Sequence, residues 1–133
     1  MKYGFIKAAA VTPKIRVADP VYNREQICDG IKEAYEMGAR ILVFPELCLT
    51  GYTCGDLFLQ ESLLHAAREQ LQEVLLFTKG YAALIFVGLP LERGGKLYNA
   101  AVAMAEGRLL AVIPKRNIPA YGEFYEARHF TPG

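Results

Sequence analysis

Arg40-Ile41-Leu42-Val43-Phe44-Pro45-Glu46 is the stretch on which the architecture turns. Four consecutive apolar residues, bounded by a charge and a proline, suit a short strand covered on both faces. Such a strand belongs in a parallel sheet flanked by helices. Upstream, Asn23-Arg24-Glu25-Gln26 has the form of a capping box, with Asn23 as N-cap and Gln26 reaching back. Ile27, Ile31, Ala34 and Tyr35 then recur at helical spacing, and Gly38 supplies the stop. Before that helix, residues 4–11 read as a first strand, ended by Thr12-Pro13. Downstream of a turn-rich segment over 50–56, Leu63, Leu64, Ala67, Leu71, Val74 and Leu75 mark the face of a second helix closed by Gly80. Residues 84–88 form another apolar strand, 92–96 a turn, and 97–105 and 109–113 a hairpin around Glu106-Gly107, with the glycine at positive φ. The order is strand, helix, strand, helix, then three strands, which predicts an α/β sandwich with helices on a mixed sheet. From Asn117 onward regular pattern is lost.

Composition bounds the function. The chain has 133 residues, 53% hydrophobic and 22% charged, which fits one compact domain rather than a disordered segment. Fifteen Lys and Arg against fourteen Asp and Glu leave a charge of +1, without the excess expected of a nucleic-acid binder. No apolar run approaches the roughly 18 residues of a membrane span. The N-terminal apolar stretch has a lysine at each end and runs straight into patterned sequence, so it reads as a strand and not a signal peptide. Cys28, Cys48 and Cys54 are odd in number and lack metal-site spacing, and His65 and His129 lie far from them in sequence. This usage points to small, semi-buried residues in a reducing, cytoplasmic setting.

Two apolar strands end alike. Phe44-Pro45-Glu46 and Ile113-Pro114-Lys115 each place a proline and then a charge, of opposite sign, past the strand's carboxyl end. Ligands and catalytic groups collect at such ends in layered α/β folds. If the two strands lie near one another, Glu46 and Lys115 converge. A carboxylate could then take a proton while an ammonium steadies an oxyanion. A structural ion pair, or two unrelated solvated charges, satisfies the same spacing. No nucleophile is evident.

Phe44-Pro45-Glu46-Leu47-Cys48-Leu49-Thr50-Gly51-Tyr52, followed by Gly55-Asp56-Leu57-Phe58, resembles the glutamate motif of the nitrilase, or carbon–nitrogen hydrolase, superfamily. Pro114-Lys115, followed by residues 118–130 from Ile118-Pro119 to His129-Phe130, resembles its lysine motif. The Tyr-Gly-Glu-Phe-Tyr-Glu-x-Arg form of the second segment is most similar to one branch, the N-terminal glutaminase domains of glutamine-dependent NAD synthetases. The resemblance implies an α/β fold that is the N-terminal half of a nitrilase-type four-layer α-β-β-α sandwich, with residues 1–133 the N-terminal portion of a glutaminase domain and no second domain. It implies a Glu-Lys-Cys triad in which Glu46 is the general base and Lys115 the cation at the tetrahedral intermediate. Tyr121 matches a substrate-binding position, and Tyr52 and Phe124 match pocket-shaping ones. Glu123 and Glu126 both lie where a further active-site carboxylate can stand. Ala120 replaces a commonly polar residue. The family's nucleophilic cysteine lies beyond the lysine motif, and neither Cys48 nor Cys54 matches it, so these residues alone are expected to be inactive. Glutamine is the implied substrate; the strand edges and apolar faces that half a sheet leaves uncovered predict a homo-oligomer, and charge and hydropathy predict neither nucleic acid nor membrane as partner. No cofactor is implied for this segment, whereas ATP and Mg are implied for a synthetase domain. A stand-alone nitrilase-type amidase and a non-catalytic half-domain are the alternatives.

Overall fold

Strand and helix alternate because the apolar pattern switches between continuous runs and a 3.6-residue repeat. The structure, a computed structural model, describes residues 3–119 and 126–133. Among these, β1 (Ala8–Ala10), α1 (Pro20–Glu36), β2 (Ile41–Val43), α2 (Glu61–Phe77), β3 (Leu84–Arg93), β4 (Lys96–Ala105) and β5 (Arg108–Pro114) follow the predicted order. Short 3-10 turns occupy Gly55–Leu59 and Glu126–Arg128. One sheet runs β1-β2-β3-β4-β5, with β1, β2 and β3 parallel and β4 and β5 added antiparallel. The first strand is shorter than residues 4–11. It is ladder-paired only at Ala8–Ala10, since its partner β2 offers three residues.

Both helices lie on one face of the sheet. Ile27, Ile31 and Ala34 of α1 and Ala67 and Val74 of α2 close over Leu42, Ile85, Val87, Val102 and Met104. These side chains are all nearly or fully buried, the apolar burial that chiefly drives folding. The other face carries Val43, Phe86, Ala101, Ala103 and Ile113. Val43 and Ile113 there are 46% and 49% exposed. The expectation that residues 41–44 are covered on both faces is therefore corrected: α1 and α2 share one side, and no described element covers the other.

The N-terminus of α1 also differs from the reading of Asn23 as its cap. Pro20 takes the first helical turn, where its missing N–H costs nothing, and the Asp19 carboxylate accepts from Tyr22 N at 3.1 Å. Asn23 lies one turn inside the helix, fully buried. Its carboxamide accepts from Arg16 N and donates to Arg16 O, both at 2.8 Å, and donates to Leu49 O at 3.1 Å. A residue that matches a capping box thus ties two loops to α1. The glycine predictions at the helix ends and the hairpin hold, with Gly38, Gly80 and Gly107 at φ 92°, 88° and 77°.

Candidate active site

β2 and β5 are not neighbours; β3 and β4 separate them. Glu46 nevertheless reaches Lys115, because the segment after β2 climbs across β3. The crossing point is Gly88. A Cβ there would lie 2.5 Å from Leu47 N, 2.8 Å from Pro45 O and 2.9 Å from the Glu46 Cα. Only glycine leaves room for this close approach of backbone to backbone. Leu49 N donates to Gly88 O at 3.1 Å and pins the crossing. Leu47 turns the chain at φ 52° and buries its side chain against Cys54, Phe58, Leu97 and Phe130. That packing offsets the cost of the left-handed backbone.

From the far side, Lys115 N donates to Asn99 O of β4 at 2.7 Å, which fixes where the lysine leaves the sheet. Its ammonium donates to Glu46 Oε2 at 2.8 Å and to Glu126 Oε1 and Oε2 at 3.0 and 3.1 Å. Asn99 Nδ2 donates to Glu46 Oε2 at 3.1 Å and to Glu126 Oε2 at 3.4 Å. Tyr52 donates its hydroxyl proton to Glu126 Oε1 at 2.9 Å. The two carboxylates differ in access, since the Glu46 side chain is 47% exposed and that of Glu126 4%. Burial pulls Lys115 down, but hydrogen bonds and charge from both carboxylates outweigh it and hold the ammonium above its ordinary value. Burial and the bond to Glu126 push the Tyr52 phenol up to about 12.

The cluster stands at the end of a groove of about 480 Å³ on the open face of the sheet, lined by Val43, Phe44, Phe86, Ile113 and Pro114. An apolar trough ending in a few convergent polar groups is the usual form of a small-molecule site. Segment 126–133 folds back over the same end of the sheet. Thr131 N donates to Leu97 O at 2.7 Å and Gly133 N to Lys115 O at 2.9 Å. Arg128 grips Asp56 through two bonds of 3.0 and 3.1 Å, and His129 Nε2 lies 3.0 Å from Asp56 Oδ1.

Of the residues singled out from sequence, Glu46, Lys115, Tyr52 and Glu126 come together. Tyr121, with Ala120, Glu123 and Phe124, lies outside the described residues. Cys28, Cys48 and Cys54 are free and buried. Burial pushes the Cys28 thiol up to about 11 and the Cys48 thiol to about 12, and raises Cys54 as well. Cys48 and Cys54 donate to backbone carbonyls of Gly88, Thr50 and Gly51. A protonated, buried thiol is a poor nucleophile. Sequence reasoning passed over Gly88 and Asn99. Each carried a signal, a glycine within a strand and a lone amide in the apolar run Leu97–Ala105. Among the described residues no group of three His, Cys, Asp or Glu side chains is arranged to hold a metal ion, and no residue is assigned to Mg²⁺ or ATP. Among them, too, no helix is long and apolar enough to cross a membrane.

The family profile described as carbon–nitrogen hydrolase matches residues 7–133. The chain is 37% identical over 132 residues to the glutamine-dependent NAD(+) synthetase of Mycobacterium tuberculosis, covering 99% of this chain and 19% of that protein. The crystal structure of a glutamine-dependent NAD(+) synthetase from Cytophaga hutchinsonii superposes with a TM-score of 0.90 at 31% identity, over 96% of this chain and 22% of that one. A mutant amidase from Nesterenkonia sp. AN1, with the acetamide moiety of fluoroacetamide added covalently at its active-site cysteine, superposes with a TM-score of 0.78 at 27% identity. That match covers 96% of this chain and 48% of the amidase. The chain thus spans about a fifth of the length of the synthetases it matches.

Proposed function

Because the chain belongs to the carbon–nitrogen hydrolase family, we propose that residues 1–133 are the N-terminal portion of a glutaminase domain whose ammonia serves NAD synthesis. The single observation that carries this reading is the contact of 2.8 Å between Lys115 Nζ and Glu46 Oε2 at the end of an apolar groove. The likeness to synthetases over nearly the whole chain supports glutamine as substrate.

Glu46 is the general base. Its Oε2 is occupied by Lys115 and Asn99, while its Oε1 makes no hydrogen bond to any described residue and can take a proton. The proton comes from a cysteine thiol supplied from outside these 133 residues, since Cys28, Cys48 and Cys54 are buried and bonded elsewhere. The thiolate adds to the side-chain carbonyl carbon of glutamine, and the positive charge of Lys115 steadies the developing oxyanion. Glu46 then gives its proton to the departing nitrogen, which leaves as ammonia. In the second half it takes a proton from the water that opens the thioester and returns it to the departing sulfur, releasing glutamate and restoring the thiol. Tyr121 binds substrate, and Glu126 holds Lys115 in place. ATP and Mg²⁺ belong to synthetase chemistry elsewhere in the protein. The three free cysteines support a reducing, cytoplasmic setting, and the half-exposed apolar residues of β5, Leu109, Leu110, Val112 and Ile113, support assembly with further protein.

The test is Glu46→Gln in the full-length protein. Glutamine-driven synthesis should fall about a thousandfold, with synthesis from added ammonia retained. Equal loss of both at unchanged melting temperature overturns the assignment. The amidase likeness supports a second reading, hydrolysis of another small amide. That reading predicts amide hydrolysis with no ammonia-driven synthesis at all.

A further inference from the structure

The cluster holds an amide side chain, Asn99, that has no part in the Glu-Lys-Cys triad. Lys115 has three N–H groups and no acceptor, and Glu46 and Glu126 together offer about eight lone-pair sites. Two carboxylates around one ammonium leave the cluster one negative charge in excess. The three ammonium contacts go one to Glu46 and two to Glu126, so the remaining lone pairs of both carboxylates need donors from elsewhere.

We propose that Asn99 is a positioning residue that makes Glu46 one-sided. Its side-chain amide bridges the carboxylates, donating to Glu46 Oε2 at 3.1 Å and Glu126 Oε2 at 3.4 Å, while its main-chain carbonyl accepts from Lys115 N at 2.7 Å at the end of the strand pairing. It adds two donors and no charge. Glu126 is then saturated by Lys115, Asn99 and Tyr52. On Glu46, Oε2 receives two donors and Oε1 none among the described residues, so the proton-accepting oxygen is selected by geometry. Asn99 is 3% exposed, set in β4 opposite Pro90, and a rigid strand fixes the amide relative to both carboxylates. The charged and titratable groups facing Glu46 among the described residues are Lys115 from the end of β5, Glu126 from its 3-10 turn and Tyr52 from the segment after β2.

The inference rests on the reading of Glu46 as a base, and the experiment separates the two. In the full-length protein, Asn99→Asp removes both donors and adds a like charge, so Glu46 should hold its proton to higher pH. The expected result is a glutamine-driven kcat lowered about tenfold to a hundredfold, KM changed far less, and the acid limb of the kcat/KM profile moved upward. Asn99→Leu, which removes the donors without adding charge, should move the limb the same way by less. It also decides the matter if the aspartate variant does not fold. A lowered melting temperature with the acid limb of the folded variant in its wild-type place reduces Asn99 to a packing residue and overturns the inference. If Glu46→Gln leaves glutamine turnover intact, the parent reading has failed instead, whatever the Asn99 variants do.

Discussion

Two segments deliver a glutamate to the same ammonium, and they are held in opposite ways. The one after β2 carries Glu46 and is fixed from beneath by buried backbone. It crosses Gly88, bonds Leu49 N to Gly88 O, and receives the Asn23 amide at Leu49 O. Segment 126–133 carries Glu126 and is secured at its start by the exposed Arg128–Asp56 pair, with the largely buried His129 ring also against Asp56. The deeply anchored segment presents the accessible carboxylate, and the surface-latched segment presents the buried one. An accessible carboxylate on a rigid mount can exchange a proton without moving. A saturated, buried carboxylate is suited to hold a cation in place.

The contrast breaks most readily at the crossing. Gly88→Ala sets a methyl against Leu47 N, Pro45 O and the Glu46 Cα, all backbone or main-chain carbon, with no flexible side chain to give way. A stability loss of about 3 kcal/mol, at the upper end for overpacking, is expected in the full-length protein, together with loss of glutamine turnover as Glu46 is displaced. A melting temperature within a degree of wild type would show that the crossing is not tight. Glu126→Gln probes the other mount. The amide keeps the shape but turns one acceptor into a donor facing Tyr52 or Asn99. The expected cost is about 2 kcal/mol of stability and a fall in turnover well short of that for Glu46→Gln. Equal falls for the two variants would mean that both carboxylates take part in the chemistry.

Which parts of this were legible in the sequence follows from range. The element order and the stops at Gly38, Gly80 and Gly107 are local matters of periodicity and backbone freedom, and they stand. The convergence of Glu46 and Lys115 was also legible, through two matching strand ends, but its route was not. Nearness of the two strands is only a condition at that level, and the actual path, across two intervening strands, depends on one missing side chain at Gly88. Asn23 shows the opposite failure. Its local pattern is a sound capping box, yet the backbone groups of Arg16 and Leu49 captured its amide, and Pro20 and Asp19 took the helix start. The apolar run at 41–44 did not reveal the open face of the sheet, because such a run looks alike whether one or both of its faces are covered by the same chain; the half-sandwich implied by the resemblance did.

The smallest expected effect concerns the latch. Arg128, then His129, hydrogen-bond Asp56 and hold its carboxyl below the usual range. A group with a depressed native value stabilises the fold above its unfolded value, here near 3.8, and that contribution is lost as pH falls through the native value. Both Asp56 and Arg128 are largely exposed, so the contribution is small and screened by salt. Hydrogen exchange at the amides of Thr131 and Gly133, corrected for intrinsic rate, should therefore quicken below about pH 4 or in 1 M salt, while the amide of Leu49 does not respond. Asp56→Asn should give the fast tail at neutral pH and remove its acid response. Wild-type protection of Thr131 in that variant would transfer the hold on Glu126 from the surface charges to the packing of Phe130 against Phe58, 5.0 Å between ring centres, and the two segments would then be mounted by the same means.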